Sequence, residues 1–133
     1  LGYMGANDVS ARDCQTRIDL QWTRAKSFDT FGPLGPWLVT DPGIDPGTLQ
    51  VRALLNGQLV QDANTCDMIF SVPTLISYLS HQFTLVPGTV LLTGTPSGVG
   101  MGQNPPRYLR ERDEIVVEVE GLGTLRNPVR REE

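Results

Sequence analysis

The sequence lacks both an excess of positive charge and any long apolar run. Its 133 residues carry 11 Lys and Arg against 15 Asp and Glu, a formal net charge of −4. Proteins that bind nucleic acids depend on a basic surface that neutralises phosphates, so we expect no nucleic-acid partner. A membrane-spanning helix needs about 20 consecutive apolar residues, and no run in this chain approaches that length. The sequence therefore predicts a soluble protein with no membrane partner.

Cysteine and histidine are also scarce. The chain has two cysteines, Cys14 and Cys66, and one histidine, His81. These thiols have neither the spacing of a metal site nor the density of a secreted disulfide scaffold, which favours reduced thiols in an intracellular protein. No export signal is visible at the N-terminus, so we expect a cytoplasmic location. Because the chain begins at Leu1 inside an apolar, strand-like stretch, we also expect residues upstream of it to belong to the working protein.

Glycine and proline, in contrast, are abundant. The 14 Gly and 10 Pro are spread between apolar runs, which favours a turn-rich β architecture. Alternating polar and apolar residues over 50–56 lead into Asn56-Gly57, a pattern that predicts a β-hairpin. Further strands are predicted over 90–93, as a buried strand, and over 114–120. The sequence thus predicts one domain, residues 1–133, that is mainly β with minor α.

One helix is predicted in the second half of the chain. Ser71 is a suitable cap and Pro73 suits the first turn, and apolar residues then recur at helical spacing at Leu75, Ile76, Leu79 and Phe83. We interpret His81 as a surface residue at the end of this helix, without a catalytic role. The loop over 94–100 has three Gly and one Pro, so its backbone can approach another group closely.

Candidate functional residues lie near the N-terminus. On a helix, Asp8, Arg12 and Gln15 would project to one side, where a carboxylate, a guanidinium and an amide could hold a metal and an anionic ligand. An ordinary ion pair on a solvated helix face explains the same spacing. Lys26 follows Trp22 in a partly aromatic segment, where its ammonium could pair with a developing oxyanion or a substrate carboxylate. A surface lysine lying along its aromatic neighbours is the alternative.

Seven ordered blocks of the sequence carry a resemblance to a known family. The blocks are residues 7–13, 22–28, 33–37, 56–57, 64–65, 68–71 and 92–100. Together they resemble the catalytic carboxy-terminal domain of the fumarylacetoacetate hydrolase superfamily, from Leu1 to about Val129. The resemblance implies a mixed β-roll in which Mg²⁺ or Mn²⁺ lies among three carboxylates.

The resemblance also implies a role for each candidate residue. Asp8 matches the third metal ligand, and Lys26 matches the catalytic lysine beside the metal and the substrate oxygens. Arg12 and Gln15 match contacts to a bound keto acid, and Thr95 matches the threonine that holds the substrate carboxylate.

Two parts of the family pattern have no counterpart in this sequence. The family's other metal ligands are a closely spaced Glu pair, and its catalytic dyad is a His-Glu pair. Mg²⁺ is normally anchored by more than one protein group, so Asp8 alone should bind it poorly. We therefore expect only part of a catalytic site here, inactive by itself.

The function implied is a metal-dependent enzyme acting on a small acidic 2-oxo or diketo compound. The reaction would be hydrolysis of a C–C bond, or decarboxylation or isomerisation through an enolate stabilised by Lys26 and the cation. A non-catalytic binding or assembly subunit that retains the fold is the alternative, suggested by the missing Glu pair. The resemblance also implies a homodimer.

Overall fold

The structure, a computed structural model, describes residues 1–131. Its α-helices and β-strands, in chain order, are β1 (Tyr3–Ala6), α1 (Trp22–Lys26), β2 (Leu34–Val39), β3 (Gln50–Leu55), β4 (Gln58–Asn64), α2 (Val72–Ser80), β5 (Glu114–Val119) and β6 (Gly123–Pro128). A π-helix over Cys14–Ile18 and two 3₁₀ turns, Thr65–Asp67 and Gly100–Gly102, complete the regular structure of this part of the chain. Within the same range, no helix combines the length and the apolar content needed to cross a bilayer. The prediction of a mainly β fold with minor α is confirmed.

The strands form two antiparallel sheets. The larger has the order β4-β3-β5-β6, and the smaller pairs β1 with β2. The smaller sheet packs against β5 and β6, and the apolar core lies between the two. The larger sheet contributes the buried apolar side chains of Ala53, Val116, Val117 and Leu125 to this core.

The predicted hairpin is confirmed as β3 and β4. Asn56 and Gly57 have φ angles of 52° and 78°, the left-handed conformations that a type I′ turn requires. The Asn56 side chain also binds the next strand of the sheet. Its Nδ2 donates to Asp113 Oδ1 at 2.8 Å, and its Oδ1 accepts from the Glu114 backbone N–H at 2.8 Å. The turn is therefore fastened to β5 as well as to its own strands.

The predicted helix is confirmed as α2, which begins after Ser71. The Ser71 hydroxyl accepts a hydrogen bond from the Thr74 backbone N–H at 3.4 Å. His81 follows the helix as an exposed residue, with Nδ1 2.7 Å from the Ser77 carbonyl oxygen. This geometry agrees with its interpretation as a helix-terminal surface residue.

The prediction of a buried strand over 90–93 is wrong. These residues belong to no strand, and Val90 and Leu92 are about half exposed. The apolar run is suited to a strand, but a strand also needs a neighbour that accepts and donates backbone hydrogen bonds. In the described part of the chain, no strand lies beside it.

The glycine-rich loop lies directly against β4, as its composition predicts. A Cβ atom on Gly98, whose φ is +103°, would come within 1.9 Å of the Val60 carbonyl oxygen. A Cβ on Gly100 would come equally close to the Arg107 carbonyl oxygen. Only residues without a side chain permit this approach between backbones.

Candidate active site

Asp8 and Lys26 meet although 18 positions separate them in sequence. Asp8 lies in the loop after β1, and Lys26 is the last residue of α1. Lys26 Nζ donates to Asp8 Oδ2 at 2.5 Å. The two side chains are 27% and 46% exposed, respectively. The pair is therefore accessible to a small ligand and is held together by tertiary structure.

The expectation that one helix carries Asp8, Arg12 and Gln15 on the same side is wrong for Asp8. Residues 7–11 are irregular, and the helical conformation begins at Arg12. In this loop the Ser10 hydroxyl donates to the Asp8 carbonyl oxygen at 3.0 Å. Serine and neighbouring polar groups compete with helix hydrogen bonds in this way.

Arg12 and Gln15 form a second hydrogen-bonded pair. Arg12 Nη1 donates to Gln15 Oε1 at 2.6 Å. Gln15 is only 4% exposed, and its buried Nε2 has no hydrogen-bond partner in the structure. A buried donor without a partner costs about 1–3 kcal/mol. Among residues 1–131, this amide is the one buried side-chain donor without a partner.

The two pairs are held together by backbone contact. The Ala11 N–H donates to the Ala25 carbonyl oxygen at 3.0 Å, which joins the residues immediately before Arg12 and Lys26. Ala25 is fully buried, and α1 packs against the π-helix that contains Gln15. At the start of α1, the hydrogen bond from Arg24 lowers the pKa of Asp19.

Thr95 is held against β4 by a contact that the sequence did not reveal. Gln61 Nε2, on β4, donates to Thr95 Oγ1 and to the Pro96 carbonyl oxygen, both at 2.9 Å. Among residues 1–131, no hydrogen bond joins Thr95 to the four site residues above. Gln61 has no motif of its own, because its role depends on the loop that the fold places beside it.

The described residues do not form a divalent-metal site on their own. No group of three His, Cys, Asp or Glu side chains within residues 1–131 could hold a metal ion. Mg²⁺ prefers six oxygen ligands, whereas Asp8 offers one carboxylate that already accepts from Lys26. Asp8 could contribute only one ligand to a site completed by other groups.

A second carboxylate, Asp113, is buried but fully engaged. It accepts from Asn56 Nδ2, from Arg107 Nη2 and from the Arg110 backbone N–H at 2.7–2.9 Å. The hydrogen bond from Asn56, reinforced by Arg107 and Arg110, holds the pKa of Asp113 below its ordinary value. With its oxygens occupied by the protein, Asp113 is a structural residue.

The mainly β fold thus brings together two segments that carry the Lys26–Asp8 and Arg12–Gln15 pairs. The family model described as fumarylacetoacetate (FAA) hydrolase C-terminal matches residues 1–130. The chain belongs to the fumarylacetoacetate hydrolase family, and solved structures of that family share its fold.

Several relatives carry enzyme names. The chain is 50% identical over 129 residues to the mitochondrial oxaloacetate tautomerase Fahd2a of Rattus norvegicus, covering 96% of this chain and 41% of the relative. It is 48% identical to a solved 5-carboxymethyl-2-hydroxymuconate delta-isomerase from Mycobacterium smegmatis, with a TM-score of 0.89 over 100% of this chain and 49% of that one. A fumarylacetoacetate hydrolase from Exiguobacterium antarcticum is 44% identical, with a TM-score of 0.95 over 98% of this chain and 47% of that one.

The chain thus spans about half the length of the relatives that it matches, or somewhat less. The name of the rat relative refers to mitochondria, and the cytoplasmic location expected for this chain stays a prediction.

Proposed function

We propose that this chain carries part of the active site of an enzyme that binds a small acidic 2-oxo or diketo compound and catalyses its tautomerisation or isomerisation. The main support is the contact between Lys26 Nζ and Asp8 Oδ2. The backbone hydrogen bond from Ala11 to Ala25 joins the segments that carry this pair and the Arg12–Gln15 pair. The names of the rat and M. smegmatis relatives support this class of substrate.

The site residues have complementary tasks in the proposed reaction. The Arg12 guanidinium and the free Gln15 Nε2–H donate to oxygens of the ligand and orient it. In a keto–enol conversion, a base takes the proton from the carbon beside the carbonyl and a proton arrives on the carbonyl oxygen. We propose that this base comes from outside this chain. The Lys26 ammonium donates to that oxygen and stabilises the negative charge that develops there.

Tautomerisation requires fewer additional groups than hydrolysis. Both reactions need a base, but hydrolysis of a C–C bond also needs a bound water that the base activates. The single histidine, His81, is at the end of α2 and contacts the Ser77 carbonyl oxygen. A hydrolytic reaction, as in the name of the E. antarcticum relative, would therefore require a base from outside this chain.

The described residues do not by themselves form a site for the Mg²⁺ or Mn²⁺ that the resemblance implies. We propose that Asp8 becomes a ligand only where carboxylates from another polypeptide segment join it. The homodimer and the absence of nucleic-acid and membrane partners also stay predictions.

Ligand binding tests the proposed function directly. Oxaloacetate is titrated into the chain, and the side-chain amide resonances of Gln15 are followed by NMR. We expect these resonances to shift, and we expect Lys26→Ala to weaken binding by roughly 10–100-fold through loss of a charged hydrogen bond.

Arg17→Ala is the matched control, because Arg17 is an exposed cation on the neighbouring π-helix. It removes the same charge without removing a group of the site. Equal affinity in Lys26→Ala and wild type, or Gln15 resonances that do not move, would contradict the proposal.

A second candidate is a binding or assembly subunit without catalysis. The lone carboxylate beside Lys26 favours it. Calorimetric titration of Mn²⁺ separates the two candidates when the chain is tested with and without a polypeptide that completes the fold. Tight binding only in the completed form supports the enzyme, whereas no binding in either supports the subunit.

A further inference from the structure

Gln61 occupies a position in the larger sheet where an apolar side chain is expected. It lies on β4 opposite Ala53 of β3, and the same row continues through Val117 to Leu125. Residues directly opposite each other in an antiparallel pair lie on the same face of the sheet, and the other three members of this row are buried apolar residues. The half-buried amide of Gln61 therefore needs hydrogen-bond partners at the end of an apolar row.

The partners of the Gln61 amide all belong to the glycine-rich loop. Its Nε2 lies 2.9 Å from Thr95 Oγ1, 2.9 Å from the Pro96 carbonyl oxygen and 3.4 Å from the Ser97 carbonyl oxygen. A side-chain amide has only two N–H hydrogens, so the two shortest contacts use both of them. The amide fastens the loop to β4 through one hydroxyl oxygen and one main-chain oxygen.

The two carbonyl oxygens determine which way the amide faces. A backbone carbonyl can only accept hydrogen bonds, so the Gln61 atom that faces Pro96 and Ser97 has to be the nitrogen. With the amide turned over, its oxygen would face two carbonyl oxygens, which repel it. Thr95 Oγ1 therefore accepts a hydrogen bond from Gln61 and does not donate one to it.

This polarity leaves the hydrogen of the Thr95 hydroxyl available. A hydroxyl has one hydrogen and two lone pairs, and the Gln61 amide engages one lone pair. Within residues 1–131, Thr95 Oγ1 makes no other hydrogen bond, and Thr95 is exposed. The preceding residue, Gly94, has open space around it. The hydroxyl thus presents a donor to an oxygen atom that approaches the loop from solvent.

We infer that Gln61 is a positioning residue that holds the Thr95 hydroxyl as a hydrogen-bond donor toward an oxygen of the acidic ligand. The inference rests on the proposed function, which supplies that ligand. Gln61 acts through Thr95 and not by contact with the ligand. An ionised carboxylate gains most from such a donor, because hydrogen bonds to charged acceptors are stronger than those to neutral ones.

A carboxyl group of the same shape as the amide reverses the polarity of the contact. In Gln61→Glu at pH 7, the carboxylate has no hydrogen to donate, and it accepts the hydrogen of the Thr95 hydroxyl instead. We expect the affinity for oxaloacetate to fall at least about tenfold relative to wild type in calorimetric titrations. At about pH 5, part of the Glu carboxyl, with an ordinary pKa of about 4.3, is protonated and donates again. Part of the affinity should therefore return.

Gln103→Glu is the matched control for disturbance of the loop. Gln103 Nε2 donates to the Gly98 carbonyl oxygen at 3.3 Å. The change therefore also places a carboxylate against the loop, but it affects no hydroxyl. We expect it to weaken oxaloacetate binding much less than Gln61→Glu. Equal losses in the two variants would mean that Gln61 only fastens the loop, which would overturn the inference.

NMR spectra without ligand test the contact independently of the proposed function. Thr95→Val removes the hydroxyl and keeps the shape of the side chain. It should shift one of the two Gln61 Nε2–H resonances and leave the other, which reports the contact with the Pro96 carbonyl oxygen. Thr95→Ser retains a hydroxyl and should leave both resonances near their wild-type positions. If Thr95→Val shifts neither resonance, Gln61 does not donate to the hydroxyl and the inference is overturned.

The two experiments separate failure of the inference from failure of the proposed function. If the wild-type chain binds no oxaloacetate, the proposed function is rejected, whereas a shift of one Gln61 resonance in Thr95→Val still supports the positioning of the hydroxyl. If the wild-type chain binds oxaloacetate and Gln61→Glu binds it equally well at pH 7, the proposed function stands and the inference is wrong.

Discussion

Several single residues in this structure stabilise two elements at once. Asn56 forms the β3–β4 turn and also binds Asp113 and the backbone of Glu114. Asp113 in turn fixes the loop that contains Arg107 and Arg110. The turn could be predicted from Asn56-Gly57 alone, because its signal is local. The partnership with Asp113 could not, since 57 positions separate the two residues.

Asp113 should make the stability of the chain depend on acidic pH. Its folded-state pKa lies below the ordinary value of 3.8, so the unfolded chain takes up the proton first as the pH falls. The free energy of unfolding should therefore decrease from about pH 5 downward. Asp113→Asn should lower the free energy of unfolding by about 2–3 kcal/mol at neutral pH. In this variant, the free energy of unfolding should also decrease less steeply as the pH falls.

Urea unfolding at a series of pH values measures both effects. Asp29→Asn is the control, because Asp29 is exposed and engages in no side-chain hydrogen bond in the described structure. An unchanged slope in Asp113→Asn would show that other carboxylates cause the acid sensitivity.

Gly98 should tolerate no side chain. Its backbone has φ near +103°, and an added Cβ would overlap the Val60 carbonyl oxygen. Gly94 has nearly the same φ, +101°, but open space around it. Both Gly→Ala changes introduce backbone strain of about 1–3 kcal/mol, and only Gly98→Ala must also displace the loop from β4.

Thermal unfolding compares the two glycine variants. We expect the melting temperature to fall further in Gly98→Ala than in Gly94→Ala, with loss of the hydrogen bond between Gln61 and Thr95 in NMR spectra. Equal decreases would mean that the loop is not tightly fixed against β4.

At the scale of elements, local signals were sufficient where an element is stabilised by its own residues. The Asn56-Gly57 turn and the Ser71 cap predicted β3, β4 and α2. Residues 90–93 have the composition of a strand but lack a neighbouring strand in the described structure. The loop position of Asp8 was also missed, because a tertiary contact with Lys26 outweighs the helical spacing.

We expect α2 to unfold locally while the β-sheet stays folded. Because it lacks extensive packing, its amides should exchange faster than those of β3 and β5 in the chain alone. Ser71→Ala removes the cap and should cost about 1 kcal/mol of helix stability. The melting temperature of the whole chain should change little.

Residue-resolved hydrogen exchange compares the protection of α2 with that of the sheet. Ser77→Ala, in the middle of the helix, is the control. Equal protection of α2 and β5, or cooperative loss of both in Ser71→Ala, would show that α2 unfolds together with the sheet.

At the scale of the whole molecule, the sequence was informative about the family and incomplete about the site. The ordered blocks indicated the superfamily that the family model confirms over residues 1–130. They also indicated the residues of the Asp8–Lys26 contact. The placement of Thr95 on Gln61 and the free amide of Gln15 depend on the assembled fold, so spacing along the chain could not reveal them.

The completely buried Ala25 shows that a residue without a reactive group can still matter for the arrangement of Asp8 and Lys26. It keeps α1 close to the chain at Ala11, and so sets how far apart the carboxylate of Asp8 and the ammonium of Lys26 can be. A mutational survey that converts each position to alanine would leave this one unaltered and score it as silent. A bulkier replacement, such as valine, would have to push α1 away from the segment at Ala11, and its effect on the contact between Lys26 and Asp8 would show how closely these segments must pack.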